Sequence, residues 1–299
     1  MIRKKRNRQL WAPTVAGSGW SESTLAEQAW EVERGAAVRW AIAGVLFGLF
    51  VGLVLFAPAA WLAKAVASAT NQRLLLADAR GTIWSGSAVP VLTGGADSRD
   101  ASYLPGRLEW SLSPRLYGVE LAARQDCCIN GTLKLQIRPG FGRIRATYAP
   151  PPGAGNVVGQ WPSAWLGGLG TPWNTLQLGG SFRLLSPGVT VESVEGRWRL
   201  EGKVDLALEG VSSRLTTLDT LGSYKVTLTG GGSASNSATL LSLTTTDGPL
   251  QLIGSGTWGP AGVKFRGEAR SAAVDEAALS NLLNIIGRRD GARSIISIG

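Results

Sequence analysis

Between Val194 and Gly210 the chain reads VEGRWRLEGKVDLALEG. Val194, Trp198, Leu200, Val204, Leu206 and Leu208 fall on one parity, with Gly196 and Gly202. Glu195, Arg197, Arg199, Glu201, Lys203, Asp205 and Glu209 fall on the other. A period of two means a strand with one covered and one wet face, so this stretch is a long antiparallel-type strand or a hairpin. The same alternation returns in GRLEWSL (106–112), GTLKLQIR (131–138), SYKVTLTG (223–230), PLQLIGSGTW (249–258) and GVKFRGEA (262–269), with Gly-rich or Pro-rich breaks between. From about residue 72 onward the chain is therefore expected to be mainly β, with strands joined by turns.

Upstream the pattern is different. Residues 40–63, WAIAGVLFGLFVGLVLFAPAAWLA, hold no charged side chain, and Arg39 and Lys64 bracket them. A bilayer core of roughly 30 Å needs about 20 apolar helical residues, so the run predicts one transmembrane helix. It is longer than the apolar region of a cleaved signal peptide, and 39 residues precede it. Trp40, Phe47, Phe50, Phe56 and Trp61 are its candidate anchoring side chains. The two tryptophans sit near the ends, where such rings prefer the interface. Pro58 would kink or stop the helix. Seven cations precede the span: Arg3, Lys4, Lys5, Arg6, Arg8, Arg34 and Arg39. Only Lys64, Arg73 and Arg80 follow within 20 residues. That asymmetry places the N-terminus in the cytoplasm and the β-rich remainder across the membrane, in the periplasm of a bacterium. In the tail, Thr24 and Glu27 have capping-box spacing, and LAEQAWEVERGAAVRW reads as a juxtamembrane helix.

Composition removes much chemistry. The 299 residues include no His, so no His base, His-containing triad or His metal ligand exists. The net charge of +9 invites a nucleic-acid reading, but five of the cations lie in the first eight residues and the rest are mixed with acids, which argues against it. The two cysteines, Cys127 and Cys128, are adjacent. A bond between neighbours closes a strained ring, so they read as small strand residues, with a vicinal redox pair or an intermolecular bridge as the alternatives. Two cysteines do not make a zinc site. Carboxylates such as Asp205 and Glu209 sit on the wet face of a strand, where solvated charges belong. No catalytic residue, cofactor or metal is expected.

GTIWSG (81–86) lies between the strand-like tracts LLLADAR and SAVPVL, and GSGTWG (254–259) repeats its pattern. Glycines in strands mark bends or close backbone approach. Trp84 therefore reads as a core ring at a strand bend, or else as a contact for a ligand or partner. Trp110, Trp198 and Trp258 share that pair of readings. Residues 149–174, with five Pro, six Gly and three Trp, interrupt the alternation as a domain boundary or a crossover. After Asp275 as N-cap, EAALSNLLNIIG puts Leu279, Leu282, Leu283 and Ile286 on one helix face, with Gly287 as the stop. A turn and final strand follow in RRDGARSIISIG.

The order of these features carries a resemblance. After FAPAAWLA come RGTIWSGSA, LEWSLSP, TPWNTLQLGGSFRL, GRWRLEGKVDLALEGVSSRLTTLDTLGSYKV, DGPLQLIGSGTWG, KFRGEA and ALSNLLNIIGRRDGARSIISIG. From about residue 50 to the end this resembles the type II secretion system protein N family. The N-terminal 35 residues exceed the short tail expected of that family. The resemblance implies a non-enzymatic inner-membrane component of the machine that exports folded proteins across the outer membrane. It further implies other inner-membrane and periplasmic subunits of that machine as partners. The family is also distantly similar to AsmA-type proteins, which carry one anchoring helix and a long curved sheet with an apolar groove.

The expected fold is thus mainly β: a single N-terminal transmembrane helix, a large antiparallel curved sheet and one short C-terminal helix. Its divisions are a tail at 1–39, the span at 40–63, a first β-rich half at 64–148, the connection at 149–174 and a second β-rich half at 175–299, with the helix at 275–287. Two functions are expected to compete. One is assembly or stability of the secretion apparatus; the other is lipid or hydrophobe binding by an uncovered apolar sheet face. They differ in whether the face of Trp198, Leu200, Val204, Leu206 and Leu208 is an open groove or a sealed core.

Overall fold

A computed structural model describes residues 38–151, 153, 155–194, 197–231, 238–259 and 262–299. The tail with its Thr24–Glu27 capping box lies outside the described residues. The chain forms two units, residues 1–55 and 56–299. In the first, helix α1 (Val38–Leu55) is apolar along its length, and among the described residues it is the one helix long and apolar enough to cross a membrane.

The sequence predicts one helix to Ala63, and the structure places its end at Leu55. The cause is Pro58. Proline lacks an N–H and pushes the residue before it out of the helical region. Ala57 and Pro58 are instead recruited by the sheet: the Ala57 carbonyl accepts the Ile83 N–H at 2.9 Å, and Pro58 bridges Thr82. A second helix, α2 (Ala59–Ala69), starts directly after Pro58 and belongs to the sheet unit. Phe56 and Trp61, read as part of the span, lie in that unit.

α2 ends at Thr70, whose hydroxyl donates to the Val66 carbonyl at 2.8 Å. The chain then enters an open, curved sheet of sixteen strands among the described residues, each antiparallel to its neighbours. Its spine is a meander: β1 (Leu74–Gly81), β2 (Ser85–Thr93), β4 (Leu108–Arg115), β5 (Gly118–Arg124), β6 (Thr132–Gly140), β7 (Arg143–Tyr148), β9 (Leu178–Val194), β10 (Arg197–Ser213), β11 (Gly222–Gly230), β12 (Thr239–Asp247), β13 (Leu250–Gly259), β14 (Gly262–Ser271), β16 (Arg293–Ile298) and β15 (Arg288–Asp290). β3 (Ala101–Tyr103) branches from β2 and β8 (Val157–Pro162) from β9. The stretch 194–210 is thus the hairpin reading: β9 ends at Val194 and β10 carries the alternation.

Residues 149–174 are a crossover within one sheet. β7 pairs with the upper part of β9, from Val189 to Val194, and β8 with the lower part, from Ser181 to Leu185. The rest of the connection, a 3-10 turn (Ser163–Leu169) and α3 (Trp173–Leu176), is held by the Trp165 indole donating to the Ser102 carbonyl at 3.1 Å and by Asn174 donating to Asp100 at 2.9 Å.

Antiparallel partners point to the same side, so the registers assign every residue to a face. Gly86, Trp110, Ala123 and Leu133 are successive partners. Further along, Leu135, Tyr148, Val189 and Gly202 continue the same side, as do Val204, Leu228 and Leu241. Gly256 and Phe265 carry it to Ile298. One apolar face thus runs the width of the sheet. Two helices cover it in part. α2 packs Ala59 and Leu62 against Ala88, Trp110, Leu76 and Leu121. α4 (Glu276–Ile286) buries Leu279, Leu282 and Leu283 against Tyr224, Leu250 and Ala269. Asp275 holds the N-cap position of α4, but its side chain makes no cap hydrogen bond.

Candidate functional site

The four candidate tryptophans have four different fates. Trp110 is buried, at 5 % exposure, beneath α2, and its indole N–H donates to the Ile83 carbonyl at 3.2 Å. Trp84 is half-buried in the connection from β1 to β2, and its carbonyl accepts the Leu112 N–H at 2.7 Å. GTIWSG is therefore a strand turning a corner: Thr82 and Ser85 close the turn, while Ala57 and Pro58 pair with its tip. Trp258 is half-buried on the apolar face, opposite Thr239 and Val263. Trp198 departs from the core reading. It is 57 % exposed, because it is the second residue of β10, at the hairpin end where the sheet stops. Leu200, one step further in on the same face, is buried at 7 %. Val204, Leu206 and Leu208 are half-buried. Of the five anchor candidates, Trp40, Phe47 and Phe50 stand exposed on α1, while Phe56 and Trp61 lie beyond it.

The second face is polar and laced by cross-strand ion pairs. Arg145 meets Glu192 at 3.2 Å and Arg183 meets Glu209 at 3.0 Å. Lys203 and Lys225 both reach Asp205 at 3.3 Å, and Thr227 donates to it at 2.7 Å. Burial works against the Asp205 carboxylate, but these donors outweigh it and hold its pKa below the usual carboxylate range. Asp78 is held low as well, by hydrogen bonds from Arg107 first and Arg80 second. On the apolar side, burial raises Tyr224, whose hydroxyl donates toward the Leu221 and Leu250 carbonyls at 3.1 and 3.0 Å. A cleft of about 760 Å³ on the polar face is lined by Thr244, Gln251, Glu268 and Arg270. Of its two carboxylates, Asp247 and Glu268, the second is already paired with Arg270 and with Arg293. These charges neutralise one another across strands and are arranged as a solvated ladder. Among the described residues no group of three or more His, Cys, Asp or Glu could hold a metal ion.

The cysteines depart from their sequence reading in two ways. They form a disulfide with each other, and they lie in the turn between β5 and β6 instead of on a strand. The turn is tight: Cys128 and Ile129 both donate to the Gln125 carbonyl, at 3.3 and 3.2 Å. It is also pinned to β8, where Gln160 N–H donates to the Cys128 carbonyl at 2.8 Å and Asn130 N–H to the Val158 carbonyl at 3.0 Å. A local ring-strain argument has no access to this distant partner.

Sequence reasoning singled out tryptophans and passed over the turns RLYG (115–118) and PGFGR (139–143). Leu116, Tyr117 and Phe141 stand exposed at these hairpin tips. A large apolar residue at a turn position beside Arg was the available signal.

The geometry holds a long one-sided antiparallel sheet, two helices docked on its apolar face and no assembled catalytic group among the described residues. Against known proteins, no curated protein and no solved structure matches the chain. A family model does: that of type II secretion system protein N, over residues 72–296, from just before β1 into the last strand. That match covers most of the chain and nearly the whole sheet unit, so the protein belongs to the type II secretion system protein N family.

Proposed function

We propose that the chain is a non-enzymatic inner-membrane component of the type II secretion apparatus that supports its assembly or stability. The observation that carries this reading is the family match over 72–296, which spans the sheet from end to end. α1 is the anchor, the N-terminus lies in the cytoplasm and the sheet unit in the periplasm, in keeping with the cation asymmetry around the apolar run. The sheet unit meets other inner-membrane and periplasmic subunits of the system through its strand edges and exposed rings. β1 and β15 are the two ends of the sheet and present unpaired backbone groups. In-cell crosslinking from positions flanking Trp84 and Trp198 tests this. Crosslinks to secretion subunits are expected. Unchanged assembly and secretion in a strain lacking the protein would overturn it.

A second reading has its own observation. Between α2 and α4 the apolar face continues through half-buried Leu133, Leu135, Val191, Leu206 and Val226, an arrangement fit for a lipid acyl chain. Lipid retained through detergent exchange and detected by mass spectrometry favours it; lipid-free protein counts against it.

A further inference from the structure

The hairpins that join successive strands alternate between the two ends of the sheet. The ends of β1, β4, β6, β9 and β13 lie at the same end, because each lies across a neighbour running the opposite way. That end is distinguished three times over. First, Leu116, Tyr117, Phe141, Ile144, Trp198 and Val263 stand exposed there. Phe141 exposes its whole side chain, at 106 %. Second, the last three residues of each strand on either side of the tips, from β4 to β14, hold Arg115, Arg138, Arg143, Arg145, Arg197, Arg199 and Lys264. Against these seven cations stand Glu120, Glu192 and, in the connection from β9 to β10, Glu195, an excess of four (7 − 3). Both described carboxylates are already paired, with Arg115 and Arg145. Arg138, Arg143, Arg197 and Lys264 have no carboxylate partner among the described residues. The connections at the other end instead hold Asp97, Asp100, Asp126, Asp219 and Asp275 against Arg73, Arg99, Arg107 and Arg214, with no excess of cations. Third, Ala57 is bonded to Ile83 at the first of these tips, and only Phe56 separates Ala57 from Leu55, the last residue of α1.

We infer that this row of hairpin tips is a membrane-contacting edge, resting on the anionic phospholipid surface of the bilayer that α1 enters. This rests on the reading of α1 as a membrane span. Tyr, Trp and Phe beside Arg is the composition that binds a headgroup layer: the rings enter the interface while the guanidinium groups meet phosphates. The opposite end has no such excess of cations to hold it to that surface, so the charge asymmetry sets which end faces the lipid. A single span leaves a domain free to swing, and a second contact along the tips fixes its stance relative to the membrane.

The test uses the full chain with its native disulfide intact, in nanodiscs of phosphatidylcholine with phosphatidylglycerol or of phosphatidylcholine alone. One spin label is placed by Tyr117→Cys, Phe141→Cys, Asp219→Cys or Leu46→Cys, and its access to oxygen is compared with its access to a water-soluble nickel chelate. Leu46→Cys should favour oxygen in both lipids. Tyr117→Cys and Phe141→Cys should favour oxygen only in the anionic discs. That preference should fall roughly 25-fold in Arg143→Ala with Arg197→Ala, since each cation near such a surface contributes about fivefold in partitioning. Added salt should weaken it too. Asp219→Cys should stay in water throughout. Water-exposed tips in both lipids, with Leu46→Cys still in the bilayer, overturn this inference alone and turn the tips toward a protein partner. Water exposure at Leu46→Cys overturns the anchoring reading with it.

Discussion

Replacing Trp110 by Ala tests the docking of α2 most directly. The ring is 95 % withdrawn from water and lies among Ala59, Leu62, Leu76, Ala88 and Leu121. A buried tryptophan removes up to roughly 250 Å². At about 25 cal/mol/Å² this is roughly 6 kcal/mol, an upper bound because the unfolded chain already buries part of it. Core Trp→Ala substitutions fall at about 3–5 kcal/mol, and the Ile83 carbonyl loses its indole donor for about 1 kcal/mol more. An expected loss of about 4–5 kcal/mol lowers the melting temperature of a domain this size by roughly 8–20 °C, at about 2–4 °C per kcal/mol. Trp198→Ala is the internal control: the ring keeps 57 % of its exposure, so the loss should stay below about 2 kcal/mol. The assay is thermal and urea unfolding of parent and both variants, side by side in one mild detergent, followed by circular dichroism. If Trp198→Ala is as damaging as Trp110→Ala, the assignment of core and edge is wrong.

Three other outcomes follow from the same geometry. Asp205→Asn should destabilise at neutral pH and lose its effect in acid. The native pKa is depressed, so the stabilisation is present above the unfolded value near 3.9 and disappears as pH falls through the native one; a pH-independent difference in unfolding midpoint would refute it. Gly254→Ala should cost about 1–3 kcal/mol, because a Cβ there would run into the Phe265 ring and lie 2.9 Å from Gly267 Cα; a neutral effect in urea unfolding counts against that close approach. Alkylation of the denatured, unreduced chain should label neither Cys127 nor Cys128, and both after reduction; labelling before reduction would remove the disulfide from the account.

The local signals in the sequence held where the structure they encode is local. The 275–287 helix is found at Glu276–Ile286 with Leu279, Leu282 and Leu283 buried, because one apolar stripe at helical spacing needs only a surface to cover. The alternating tracts are strands within three residues of their expected bounds, and the parity of Leu200 to Leu208 is the parity of the apolar face. GSGTWG announced a close backbone approach, and Phe265 fills the space its glycines leave. The order of these motifs pointed to the family that the comparison then supplied.

What failed depended on partners far away in the chain. The apolar run to Ala63 looked like one span by hydropathy, yet Ala57 and Pro58 are taken by Ile83 and Thr82, and α2 becomes part of the sheet unit. Trp110 and Trp198 both sit in alternating tracts, and only their distance from a docked helix and from the sheet's end separates a buried ring from an exposed one. Cys127 and Cys128 are joined in a turn that β8 grips from some 30 residues on, beyond any argument from adjacent residues. The period, the faces and the family were legible from residue order alone, since these follow from the succession of side chains along each strand. Which strand ends meet, where the helices cover the apolar face and which tips stay bare emerged from the fold, since those depend on pairing between segments whose spacing no local period records.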